Sequence, residues 1–186
     1  EEVNNDELIL IDPMTDMIIG RIPLGLGMHL AHVVIDANDT IAYVASQEQG
    51  ILFTVDLQNK KIIKETKLPE GSAPHGIRLT PDGKNLFIAF IGEKAIGIMN
   101  TETYNLELVP TSDKVVQVAV TPDGKYVLGS LYNTKSIARY DLTTKRLDIL
   151  WLPDGAKWPI QLYPTPDSQS LYVADQGFYF DQPTSD

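Results

Sequence analysis

The sequence predicts an all-β fold, a β-propeller of four-stranded antiparallel blades, and three observations predict it. A short turn pattern recurs four times. The strands after the turns are apolar on both alternating faces. No stretch of the chain carries helical periodicity. The turn copies are Ile35-Asp36-Ala37-Asn38-Asp39, Leu79-Thr80-Pro81-Asp82-Gly83, Val120-Thr121-Pro122-Asp123-Gly124 and Pro164-Thr165-Pro166-Asp167-Ser168. Their second residues lie 44, 41 and 44 residues apart, and a period of roughly 40–45 residues is that of a propeller blade.

The unit around Thr80 shows why the elements form. His75-Gly76-Ile77-Arg78-Leu79 is a short first strand, and Thr80-Pro81-Asp82-Gly83 turns the chain. Proline presets φ at the first central position, aspartate suits the second, and glycine accepts positive φ at the exit. Asn85-Leu86-Phe87-Ile88-Ala89-Phe90 follows, with the continuous apolar run of a strand covered on both faces. A third strand, Ala95 to Met99, ends at Asn100. A fourth, Tyr104 to Val109, alternates as an outer edge does, then meets Pro110. The other units obey the same grammar. Asp12, Asp56, Asn100 and Asp141 end the third strands, and fourth strands run into Pro23, Pro69, Pro110 and Pro153.

Taken in chain order, residues 7–24 supply only a third and a fourth strand. Complete units follow at about 29–68, 75–109 and 116–152, and residues 159–174 supply only a first and a second strand. Repeats thus occupy 7–175, and 176–186 reads as a second-to-third-strand loop or truncated tail. Two arrangements are open. The halves pair into a four-bladed ring, or the chain is an incomplete part of a larger propeller. The tail favours the second, because a third strand is due where the sequence stops. An open end is costly: each bare blade face exposes roughly 500 Å² of apolar surface, on the order of 12 kcal/mol at ~25 cal/mol/Å². The missing strands are therefore expected from further blades of the same propeller or a protein partner.

These units resemble the YVTN-type β-propeller repeat. Ile41-Ala42-Tyr43-Val44-Ala45, Asn85-Leu86-Phe87-Ile88-Ala89 and Ser170-Leu171-Tyr172-Val173-Ala174 stand where that family carries its naming tetrapeptide. The resemblance implies a ring of about seven blades and a secreted, periplasmic or cell-surface setting. It implies no particular activity, because one fold hosts many functions.

Composition narrows the function classes. The 186 residues carry a net charge of −10, with 43% hydrophobic and 22% charged residues, as in a soluble globular protein. No basic stripe suits nucleic acid or an anionic membrane surface, and no apolar run approaches the ~20 residues of a membrane span. The start at Glu1-Glu2, with no initiator Met, suggests a processed or excised chain. The absence of cysteine excludes disulfides, thiolate metal sites and a cysteine nucleophile.

Candidate site residues come from two sets of loops expected to share one face. Loops from fourth to first strands hold His29, with His32 and His75 beside them; loops from second to third strands hold Glu48, Glu93 and Asp175. Neutral imidazoles from neighbouring blades suit copper or zinc, or an axial haem position, so His29, His32 and His75 are the metal candidates. His32 aligns with Gly76 rather than His75 in the repeat, so the imidazoles need not converge. Glu48, Glu93 and Asp175 are placed to form an acidic ring for a cation or a sugar-like ligand, or else are solvated loop carboxylates. Trp158, with Phe178-Tyr179-Phe180, adds aromatics on the same face, for binding a ligand or packing between blades. No nucleotide-binding loop, Ser-His-Asp spacing or helix-borne zinc motif occurs. The expectation is a binding or scaffold module without a cofactor, presenting loops to a protein or small molecule. The alternative is a propeller enzyme or redox domain, a lactonase-like hydrolase or a haem- or copper-carrying oxidoreductase.

Overall fold

A computed structural model describes residues 5–176. Sixteen strands and no helix occur among these residues, in five antiparallel sheets that follow chain order. The first sheet pairs β1 (Asp6–Asp12) with β2 (Met17–Gly25). The second runs β3 (Leu30–Ile35), β4 (Ile41–Ser46), β5 (Ile51–Asp56), β6 (Lys61–Lys67). The third runs β7 (Pro74–Leu79), β8 (Asn85–Phe90), β9 (Ala95–Asn100), β10 (Leu106–Pro110). The fourth runs β11 (Val115–Val120), β12 (Tyr126–Leu131), β13 (Ser136–Asp141), β14 (Leu147–Trp151). The last pairs β15 (Pro159–Pro164) with β16 (Leu171–Asp175).

The apolar second strands bury both faces because each sheet has a sheet on either side. On β8, Leu86, Ile88 and Phe90 pack with Tyr43, Ala45 and Leu52 of the preceding blade. The alternate residues Phe87 and Ala89 pack with Val115, Val118 and Val127 of the following one. On β4 the same alternation sends Ala42 and Val44 towards Ile22 and Leu24 of the first half-sheet. Leu128 of β12 meets Leu162 of β15 in the fourth cluster. Four interfaces thus join five sheets, and the core lies between blades. Among the described residues the two half-sheets remain separate two-stranded sheets, so they do not pair into a four-bladed ring.

The recurring turn is a small hydrogen-bonded unit. The Thr80 hydroxyl donates to Asp82 Oδ1 at 2.6 Å and accepts from Asn85 N at 3.1 Å, and Asp82 Oδ1 also accepts from Lys84 N. Thr121/Asp123 and Thr165/Asp167 repeat these bonds. The first copy lacks that threonine, and the Asp36 carboxylate instead accepts from Thr40 N, the Thr40 hydroxyl and Ile41 N. All four turns close on a left-handed residue: Asp39, Gly83, Gly124 and Ser168, with φ of 55°, 70°, 70° and 60°. Glycine meets that requirement without steric cost in two copies. Asp12, Asp56, Asn100 and Asp141 each accept backbone N–H bonds from the turn that follows them.

The fourth strands differ in detail from expectation. Tyr104 adopts φ 62° in the turn, and β10 runs from Leu106 through Pro110. Pro23 likewise lies within β2. An outermost strand has hydrogen-bonded neighbours on one side only, so proline's missing N–H is tolerated there.

Candidate functional site

The two expected loop sets do share one face. His29 Nδ1 lies 3.2 Å from Glu48 Oε1, joining the β2–β3 and β4–β5 loops. Gly92 N donates to Ser72 O at 3.0 Å, joining the next two. In the third blade Asp113, 3% exposed, accepts from the backbone N–H groups of Lys114, Asn133 and Thr134 and from Asn133 Nδ2. In the last, Asp175 accepts from Lys157 N at 2.9 and 3.0 Å. Burial pushes the Asp113 carboxyl up, but the hydrogen bonds from Asn133, Thr134 and Lys114 outweigh it and hold it below the usual carboxylate range.

The second loop contact is unforgiving. A Cβ built on Gly92 would lie 1.7 Å from the Gly71 carbonyl oxygen, a backbone atom. Gly92→Ala is therefore expected to destabilise the protein by about 1–3 kcal/mol, read as a lower urea midpoint at unchanged m-value. An unchanged midpoint would contradict this close approach.

The three histidines are divided. His29 is exposed on the loops with Glu48, while His32 and His75 meet on the inner strands with ring centroids 5.5 Å apart. Among the described residues no group of three histidine, aspartate or glutamate side chains is placed to hold a metal, so the His29, His32 and His75 trio does not assemble. His32 and His75 do approach, although the repeat offsets them. Each first strand carries a register irregularity near its start, at Leu30/His32, Pro74/Ile77, Val115/Val118 and Pro159/Gln161. Such bulges re-aim side chains.

The carboxylates expected to form a ring are engaged separately or exposed. Glu48 pairs with His29, Asp175 holds the Lys157 amide, and Glu93 stands exposed on the β8–β9 loop. Trp158 is half-buried and stacks on Tyr132 of the preceding blade, with centroids 6.2 Å apart and planes at 20°. Phe178, Tyr179 and Phe180 lie outside the described residues.

The inner strands gather a polar cluster that the histidines only began to indicate. β3, β7, β11 and β15 lie side by side in that order. Arg78 Nη1 is 3.4 Å from His32 Nδ1 and donates to Ile77 O at 2.7 Å. Gln117 Nε2 lies 3.4 Å from both His32 Nε2 and Gln161 Oε1. His75 Nδ1 donates to Val116 O at 2.9 Å. Gln117 reaches past the second blade because position 76 is glycine; a Cβ there would sit 1.9 Å from Gln117 Oε1 and 3.0 Å from its Cα. Burial, the Arg78 guanidinium and His75 together hold His32 below the usual histidine value. A signal for this cluster was present in the sequence. His32, Gly76, Gln117 and Gln161 each stand four residues before the second residue of their turn copy, a column that is polar in three of the four first strands.

No family model matches the chain, and no curated protein matches it in sequence. Among solved structures, a chain of Kuenenia stuttgartiensis hydrazine synthase is similar in fold, with a TM-score of 0.83 and 24% sequence identity. The match covers 97% of this chain and 52% of that one, so this chain spans about half the length of its structural neighbour. The likeness supports the propeller-like, all-β architecture.

Proposed function

We propose that this chain is a binding and scaffold segment of a larger, extracytoplasmic propeller of about seven blades, with no chemistry of its own. Its free edges at β1 and β16 take up the remaining strands. The observation that carries this reading is the state of the two end sheets. In complete blades the third strand pairs with a second strand, yet β1 holds the third-strand place and pairs with β2 alone. Beside it lies an apolar groove of about 810 Å³ lined by Ile9, Ile11, Ile19, Val33 and Ile35. Ile11 is 59% exposed there, and Tyr172 at the other end is 70% exposed. Unpaired edges with apolar neighbours are what a sheet presents where another strand belongs. The greater length of the structural neighbour accords with this, and the resemblance to YVTN-type repeats supplies the blade number and setting.

The test is native mass spectrometry with a hydrophobic dye. The chain alone is expected to bind dye or to associate with rising concentration, and Ile11→Lys with Ile35→Lys to reduce both. A monomer of 20.6 kDa that binds no dye would overturn the open-ring reading. For the absence of chemistry, the purified protein is expected to be colourless, metal-free and inactive on sugar lactones. Stoichiometric metal, a Soret band or lactone turnover would replace the scaffold reading with the enzyme or redox one.

A further inference from the structure

Arg78 stands apart from the other arginines. Arg21 pairs with Glu7, while Arg139 and Arg146 both pair with Asp148. Arg78, half-buried on β7, contacts no carboxylate among the described residues. In a chain with ten more acids than bases, a guanidinium held beside the His32 imidazole and unpaired with any carboxylate of the described residues is a local reversal of charge. A guanidinium is always protonated, so its N–H donates to His32 Nδ1, which leaves the hydrogen on Nε2. Gln117 Oε1 accepts from Val118 N at 3.0 Å, which turns the amide nitrogen towards that same His32 Nε2. Two donors therefore face each other at 3.4 Å, beside a third on Arg78, and among the described residues Gln161 Oε1, 3.4 Å from Gln117 Nε2, is the side-chain acceptor that they share. Gln161 and Tyr163 on β15 are exposed, so the cluster opens to solvent on that side.

We propose that this face of the inner strands binds a small oxyanion, a carboxylate or a phosphate, through Arg78, His32 and Gln117. An oxyanion brings the acceptor lone pairs that the converging donors lack, and the planar guanidinium fork matches either group. Gly76 serves the site by leaving room for Gln117 to reach His32. The donors come from β3, β7 and β11, while Gln161 and Tyr163 stand on the face of β15 that Tyr172 shares and that the open-ring reading leaves to the next blade, so access from that side rests on that reading.

The chain has three histidines, and they form a built-in assay. The ring-proton NMR signals of His32 and His75 are followed while sodium phosphate, and separately sodium succinate, is added at neutral pH and constant ionic strength. Saturable shifts at both, with His29 moving only slightly and linearly, are expected for at least one anion, and the better one tells phosphate from carboxylate. Arg78→Met is expected to weaken the midpoint about tenfold or more, and Arg78→Lys less so, because the charge stays and the fork is lost. The lysine variant keeps the test decisive if the methionine variant does not fold. Parallel, non-saturating shifts at all three histidines with both anions would overturn the proposal. So would an unchanged midpoint in either Arg78 variant.

Discussion

Asp113→Ala is expected to lower the unfolding free energy by about 2–4 kcal/mol, read by urea denaturation. The carboxylate is buried and serves four donors, three of them backbone N–H groups of Lys114, Asn133 and Thr134. Alanine removes every acceptor while the β12–β13 loop keeps its donors, and buried orphan donors cost more than the bonds themselves contribute. Asp113→Asn is expected to lose less, because the amide keeps one acceptor but turns an NH₂ towards a donor. Acid should act like the alanine substitution. The folded carboxyl is held below its ordinary value by these hydrogen bonds, so its contribution is complete above the unfolded value of about 3.9. As pH falls below that, stability drops, and the contribution is lost once pH passes the lower folded value. The difference between wild type and Asp113→Ala should therefore shrink in strong acid. A constant gap down to the acid transition would argue against an ionised Asp113.

The architecture was legible in the sequence for a physical reason: each blade repeats one set of local constraints. The Thr-Pro-Asp-Gly turn and the Asx residue ending each third strand act within four or five residues, so they can be read from spacing alone. Leu86 to Phe90 reads as a strand covered on both faces because both faces are covered. The site was less legible. The histidines were visible as residue types, but the meeting of His32 with His75 depends on strand bulges that no residue type announces. Arg78, Gln117 and Asp113 were missed because each has its role through another blade or loop. Gln117 acts 85 residues from His32, and only the polar residues at the same repeat position in three of the four first strands hinted at it.

Phe87→Ala is expected to be the most damaging of these changes, at about 3–5 kcal/mol. Phe87 is fully buried on β8 and projects into the interface with the following blade, among Ile96, Val115 and Val127. That interface has little slack: at Gly129 an added Cβ would lie 3.0 Å from both Ile96 and Val115. The walls of the cavity belong to two different sheets, each fixed by its own ladder, so they cannot collapse into the space left by the ring. Ile11→Ala provides the contrast. Ile11 is 59% exposed on β1, so its loss should cost under about 0.5 kcal/mol. Because blades contact only their neighbours, the damage should also be directional. Hydrogen exchange in Phe87→Ala should quicken most across β8 and β12, and β15–β16, held to the arc by the Leu128–Leu162 cluster, should loosen with β11–β14. Retention of full protection in β11–β14 would mean that blade interfaces contribute less to stability than the ladders within each blade.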